Sequence, residues 1–253
     1  MSAQFPLHDA ARNNNVELVA RILAAENNAN VNQADENGWT LLHIASASTG
    51  SQERMVAMLI DAGSDPNQAD EDDWTPLHFA AGNGHENVVA LLITSGADPN
   101  KCDIDGWTPL YCAAMRGNEL AGKLLVNAGT DVNLAAVNGW TPLHCATING
   151  HELMVALLIS ANADISQTDS DGWTLPRRAS EKGHHNIVTL LKQGMRKQEH
   201  HRLVSLATLL WPLDLPVLTV YQIYSAAPLY KDSQVSQFDA WQILASIKQS
   251  DKI

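Results

Sequence analysis

Basic residues are scarce in this chain: 16 Lys and Arg stand against 28 Asp and Glu, a formal net charge of −12. The deficit is uneven. Residues 1–174 hold 22 acids and 6 Lys/Arg. Phosphate-backbone binding needs cations that displace counterions, so nucleic acid is not the expected partner of such a body. Residues 175–202 reverse the balance, with 7 Lys/Arg and 2 acids. That stretch, RRASEKGHHNIVTLLKQGMRKQEHHR with its preceding residues, reads as a solvated outer face. Cysteine is also sparse. Cys102, Cys112 and Cys145 form an odd, scattered set, which is no disulfide framework and points to a reducing compartment. Long apolar runs are missing too. The best candidate, LVSLATLLWPLDLPVLTVYQIY (203–224), is broken by Pro212, Asp214 and Pro216, which argues against a membrane span. The start MSAQFPLHDAARNNN has no basic region followed by an apolar run, the pattern of a secretory leader. Cytoplasm is the expected location, with the nucleus or a host cell's cytoplasm as alternatives.

Catalytic constellations are lacking as well. His85 and His151 are each followed by Glu, but no second histidine stands four residues on, so the zinc-protease pattern fails. GNGHEN (82–87) lacks the third glycine and the preceding strand of a dinucleotide loop. No G-x-S-x-G or Walker-type loop occurs. The pairs His184-His185 and His200-His201 have no supporting cysteine or carboxylate spacing for a metal. No enzyme activity, cofactor or metal is expected.

What the chain does have is a period. Thr40, Thr75, Thr108, Thr141 and Thr174 recur at spacings of 35, 33, 33 and 33. Gly84, Gly117, Gly150 and Gly183 recur every 33, as do Leu92, Leu125, Leu158 and Leu191. Fixed-period self-similarity of this length marks a solenoid. Each part of a unit has a mechanical reason. Thr75 caps a helix, and Pro76 fits its first position, where no N–H is needed. Leu77 and Ala80 face inward, and Ala80 with Ala81 permits close helix approach. Gly84 supplies the left-handed residue that ends the helix. Val88, Val89, Leu91 and Leu92 form the apolar face of a second helix, which Gly96 ends. ADPNKCDIDGW then reverses the chain into the next unit.

These units resemble the ankyrin repeat: T-P-L-H-x-A stands at 75–80 and again at 141–146. The resemblance covers residues 1–195 as six repeats, the first and last being atypical caps. It implies an all-α solenoid of helix pairs with short β-hairpin-type fingers. The expected function is a non-catalytic scaffold for protein–protein interaction. His8, His43, His78 and His144 fall at the repeat histidine, where the imidazole ties back to the Thr of its own motif. The fourth repeat has Tyr111 there. The last reads Trp173-Thr174-Leu175-Pro176-Arg177, a worn terminal unit. The first has Phe5 in place of Thr, and extra residues stand near Glu26–Asn28 and in SASTGSQERM. In the family, asparagines that resemble Asn100 and Asn133 can be hydroxylated by asparaginyl hydroxylases of animal cells. On residue chemistry alone, each is expected to bond its own turn.

Aromatics are few apart from tryptophan, of which there are seven. Five stand one per finger: Trp39, Trp74, Trp107, Trp140 and Trp173. A covered tryptophan buries ~150–250 Å², on the order of 4–6 kcal/mol as an upper bound. Five solvated copies would need a partner. The row is therefore either packing between fingers or a ladder of anchors, where Trp is a preferred hot-spot residue. Asp72, Asp73 and Asp105 add acid at the tips. Phe79, Met115 and Arg116 extend the candidate site along the inner face of the first helices. The expected partner is a protein with a basic or mixed surface and apolar ridges.

After about Gln198 the period stops, and residues 196–253 read as a C-terminal helical extension. Leu203, Leu206, Leu209 and Leu210 have helical spacing. A second helix is expected up to Ile247 from a cap at Asp232 or Ser233. Ser205-Leu206-x-x-Leu209 faintly resembles a SOCS box, although Leu210-Trp211 departs from its pattern. Leu215-Pro216, Ile223, Pro228-Leu229 and Trp241 faintly resemble an F-box. Either likeness implies an alternative role as substrate adaptor of a cullin-type ubiquitin ligase. Ankyrin arrays also recur in bacterial effectors that act in a eukaryotic host, a third role.

Overall fold

A computed structural model describes residues 6–25, 31–48 and 52–210. The chain divides into two compact units, 1–187 and 188–253. The first contains five helix pairs: α1 (Pro6–Arg12) with α2 (Val16–Ala25), α3 (Leu41–Ala47) with α4 (Glu53–Asp61), α5 (Pro76–Asn83) with α6 (Glu86–Thr94), α7 (Pro109–Arg116) with α8 (Glu119–Asn127), and α9 (Pro142–Ile148) with α10 (Glu152–Ser160). A sixth repeat begins with α11 (Leu175–Glu181) and enters α12 (His185–Leu210), which runs on into the second unit. The expected helices beyond 210, the Phe5 position and the extra residues 26–28 lie outside the described residues.

First helices pack on first helices, from α1 on α3 through to α9 on α11. Second helices pack on second helices, from α2 on α4 through to α8 on α10. One helix pair cannot cover its own apolar face, so the core is shared between neighbours. Leu77, Ala80, Val89, Leu92, Leu110, Leu125, Leu143 and Leu158 are all fully buried. Leu91 is only half-buried, at the edge of the α6 face rather than within it.

Among the described residues no strand forms, and the fingers are hairpins one rung long. In the third repeat the Asp70 N–H donates to the Trp74 carbonyl at 2.9 Å, closing the turn. Asp70 Oδ1 then accepts from the N–H groups of Asp72 (3.1 Å) and Trp74 (2.8 Å). The carboxylate takes the donors that a second rung would have used. Asp35, Asp103 and Asp169 do the same in their fingers. The fifth finger has Ala136 in that place, and Asn138 Oδ1 takes the Trp140 N–H instead, at 2.9 Å. Neighbouring fingers also touch directly. The Ile104 N–H donates to the Asp72 carbonyl at 3.2 Å, and the Val137 N–H to the Asp105 carbonyl at 2.8 Å.

Candidate partner-binding surface

The repeat motif builds a buried joint beneath Trp39, Trp74 and Trp107. At the start of α3 the Thr40 N–H donates to His43 Nδ1 at 3.1 Å, and the Thr40 hydroxyl lies 2.8 Å from the same nitrogen. With Nδ1 accepting, the proton sits on Nε2. That nitrogen donates to the Trp74 carbonyl of the next repeat at 3.0 Å. His78 repeats the arrangement from Thr75 to the Trp107 carbonyl, 3.0 Å away, and His8 Nε2 lies 3.0 Å from the Trp39 carbonyl. The imidazole thus ties back to its own Thr, as expected, and forward to the next finger. Each of these tryptophan carbonyls serves both its own turn and the preceding histidine. Burial lowers the pKa of His8, His43, His78 and His144, that of His78 to about 4.

A second histidine set ties backward. His151 Nε2 donates to the Met115 carbonyl (3.1 Å) and His184 Nε2 to the Ile148 carbonyl (3.0 Å), each at the end of the preceding first helix. Asn118 replaces the histidine in the fourth repeat and bonds the Ala81 and Gly82 carbonyls at 3.0 and 2.8 Å. The loop asparagines form a third set. Asn67 Oδ1 accepts from the Asp98 N–H, Asn100 from Asp131 and Asn133 from Asp164. The expectation that Asn100 and Asn133 bond their own turn is corrected: each side chain bridges to the following repeat, because the same turn recurs within one helix-pair spacing.

The joint between the fifth and sixth repeats departs from this pattern. His144 Nε2 is fully buried without a hydrogen-bond partner. Among the described residues no backbone bond links the fifth and sixth fingers. Local opening follows the weakest set of contacts. In amide exchange, the finger 169–173 is expected to exchange at least about tenfold faster than the finger 103–107. Equal protection would contradict a weak joint.

The tryptophan rings lie half-buried above these joints. Phe79 sits between two of them, with centroids 4.7 Å from Trp39 and 5.0 Å from Trp74. Trp74 meets Trp107 edge-on at 6.5 Å, and Trp107 stacks on Tyr111 at 5.1 Å. Tyr111, Ala136 and Cys145 are buried together, with Trp107, Met115 and Trp140 packed partly against them. The row from Trp39 to Trp140 is therefore continuous. Each ring packs on one side and keeps part of its surface open. Among the other candidates, Asp72, Asp73 and Asp105 are exposed. Met115 is half-buried, while Arg116 is exposed and its Nη1 reaches Asn83 Oδ1 at 3.4 Å.

Trp173 differs. Arg177 and Arg178 lie over its ring, 3.7 and 4.4 Å from the centroid. Arg178 Nε donates to Asp169 Oδ2 and Nη2 to Asp171 Oδ2, both at 2.6 Å. The reading of the basic stretch as a solvated face is corrected at this residue, whose side chain is 18% exposed. Sequence reasoning also missed Ile104 and Val137, 59% and 82% exposed at the finger tips. The signal was present: an apolar residue directly after the turn-forming position of two successive fingers.

A family profile described as "Ankyrin repeats (3 copies)" matches residues 2–70, 47–136 and 120–201. The chain belongs to the ankyrin repeat family. An ankyrin repeat domain from Acinetobacter baumannii AYE, solved by crystallography, is similar at 32% identity and a TM-score of 0.68, over 76% of this chain and 98% of that one. No curated protein matches this chain in sequence. Ankyrin arrays serve in general as protein–protein interaction scaffolds. The tail segments resembling an F-box, and Trp211 of the SOCS-like stretch, lie outside the described residues. Among the described residues no helix is long and apolar enough to cross a membrane.

Proposed function

We propose that this ankyrin array binds a protein partner through the fingers and first helices of its second to fifth repeats, with the half-open aromatic row as the anchor. The observation that carries this reading is the division of labour within each tryptophan. Its carbonyl is committed to the turn and, at Trp39, Trp74 and Trp107, to a histidine, while its ring keeps open surface. Large aromatics placed in that way are typical anchors, and the acids around them set partner charge. We assign the array to 1–195 and the extension to 196–253, and the cytoplasm as the working compartment.

Asp73 supports the same surface. Its φ is +62°, whereas the corresponding residues of the other fingers are Gly38, Gly106, Gly139 and Gly172. A left-handed non-glycine residue costs about 1 kcal/mol, so an acid held there at a cost argues for a role beyond the turn. Purification of bound proteins with mass spectrometry should lose the partner in the Trp74→Ala/Trp107→Ala variant. Those changes also remove packing, at about 2–3 kcal/mol each. Asp73→Gly separates the two effects. Its stability should be unchanged or raised by up to about 1 kcal/mol, while partner recovery falls. Recovery that simply tracks melting temperature across both variants would refute the surface.

A further inference from the structure

We propose that the finger surface around Trp74 and Trp107 receives arginine side chains of the partner, in a segment that alternates arginine with apolar residues. This deepens the function proposed above and rests on it. The chain itself displays the chemistry once. In the sixth repeat a guanidinium lies over Trp173 and is held by two finger carboxylates, Asp169 and Asp171. The same finger positions recur as Trp74 with Asp70 and Asp72, and as Trp107 with Asp103 and Asp105. What differs is the first-helix position of Arg178, which is Phe79 in the third repeat and Cys112 in the fourth. The aromatic and the acids are repeated there, and the cation is not.

The charge balance shows the consequence. No Lys or Arg occurs between Arg54 and Lys101, while that interval holds eight acids. Asp103 is 7% exposed. Burial holds its carboxyl above the usual range, although the Trp107 and Asp105 amides and the Trp74 indole bond it. Burial acts on Asp169 in the same way, but there Arg178 and the turn amides outweigh it and hold that carboxyl below the usual range. The exposed partners for an incoming cation are Asp72 and Asp105. Asp105 corresponds to Asp171, the outer of the two carboxylates that Arg178 clamps.

The apolar half of the partner follows from the tips. The Ile104 N–H bonds the Asp72 carbonyl and the Val137 N–H bonds the Asp105 carbonyl, so exposed apolar and acidic residues alternate along the fingers. Arginine fits better than lysine because a planar guanidinium stacks on an indole while bridging carboxylates. Its own arginines fill this role at Trp173, so the surface open to a partner ends at the fifth finger.

The test uses the full chain, with indole N–H resonances assigned by single Trp→Phe variants. It is titrated with an octapeptide alternating arginine and leucine, and with its lysine–leucine and glutamine–leucine twins. The arginine peptide should shift the Trp74 and Trp107 indoles but not Trp173, and bind at least about fivefold tighter than the lysine twin. The combined Asp72→Asn/Asp105→Asn variant should weaken it about tenfold, with the fold intact because both residues are exposed. Equal affinity for the arginine and lysine peptides, or indifference to the asparagine variant, overturns the arginine assignment. Tight binding of the glutamine twin at the same two indoles overturns it too, while leaving the finger surface standing. If none of the peptides moves a finger indole, the arginine assignment and the surface on which it rests fall together.

Discussion

Acidification from pH 7 to pH 4 is expected to remove several kcal/mol of the array's stability, with most of the loss below pH 6.5. The groups responsible are the joint histidines. Each is neutral because its position demands it. A proton on Nδ1 of His43 or His78 would displace the backbone N–H that this nitrogen accepts, and the ring is fully buried in both. Burial lowers the folded pKa below the unfolded value, to about 4 for His78. The sign follows from linkage: the unfolded chain takes up the proton first as pH falls. For His78 the stabilising contribution is whole above about pH 6.5, declines down to about pH 4 and is constant below it. For His78 alone the difference is on the order of 3 kcal/mol. His43 and Lys101 lie close enough to disfavour the charged ring further, while the Trp107 and Lys101 backbone contacts oppose the shift.

Three carboxylates act in the adjoining range. The raised Asp103 adds stability as pH falls through its folded value, which partly offsets the histidines. The lowered Asp35 and Asp169 lose their contributions only as pH falls below 3.8. Urea unfolding at pH 7.5, 6.5, 5.5 and 4.5 reads the balance. The fourth repeat supplies the control, since Tyr111 stands at the histidine position and does not titrate in this range. His78→Tyr should therefore flatten the pH dependence while retaining a folded array. A stability curve level between pH 7.5 and 5, or an unchanged slope in His78→Tyr, would exclude the histidine mechanism.

The same histidines show what a repeat sequence reveals and what it hides. The period of 33 placed the helices, their Thr caps and the fingers, because each of those features lies within one unit. It also marked the tryptophans as a row. Contacts between units were illegible for a specific reason. His43 lies four residues from Trp39 and 31 from Trp74, and both tryptophans occupy the same repeat position. A periodic sequence does not say which copy the imidazole reaches. The structure assigns Nδ1 to its own Thr and Nε2 to the next Trp. Asn100 was misread for the same reason. Arg178 was misread for the opposite one, because it breaks the period. A basic residue in a basic stretch looks solvated until the turn carboxylates of its own finger are placed beside it. The acids of the fingers divide along that line. Asp70, Asp103 and Asp169 are spent on turn geometry, while Asp72, Asp73 and Asp105 face outward.

Gly117→Ala is expected to destabilise the array by about 3 kcal/mol, well beyond the cost of the same change at Gly129. Both glycines are left-handed, with φ of +73° and +86°. An alanine in that region costs about 1 kcal/mol by itself. At Gly129 nothing lies within 4 Å of an added Cβ, so that cost is the whole effect. At Gly117 the Cβ would stand 2.5 Å from His151 Nδ1 and 2.7 Å from its Cγ. The ring cannot swing aside freely, because its Nε2 is bonded to the Met115 carbonyl. Displacing it breaks a bond between repeats and strands a half-buried acceptor, at about 1–3 kcal/mol. The two variants thus separate backbone strain from the backward histidine link. Equal losses in urea unfolding would mean that the link contributes nothing. A deficit confined to Gly117→Ala, relieved when His151→Ala is added, would place it between the fourth and fifth repeats.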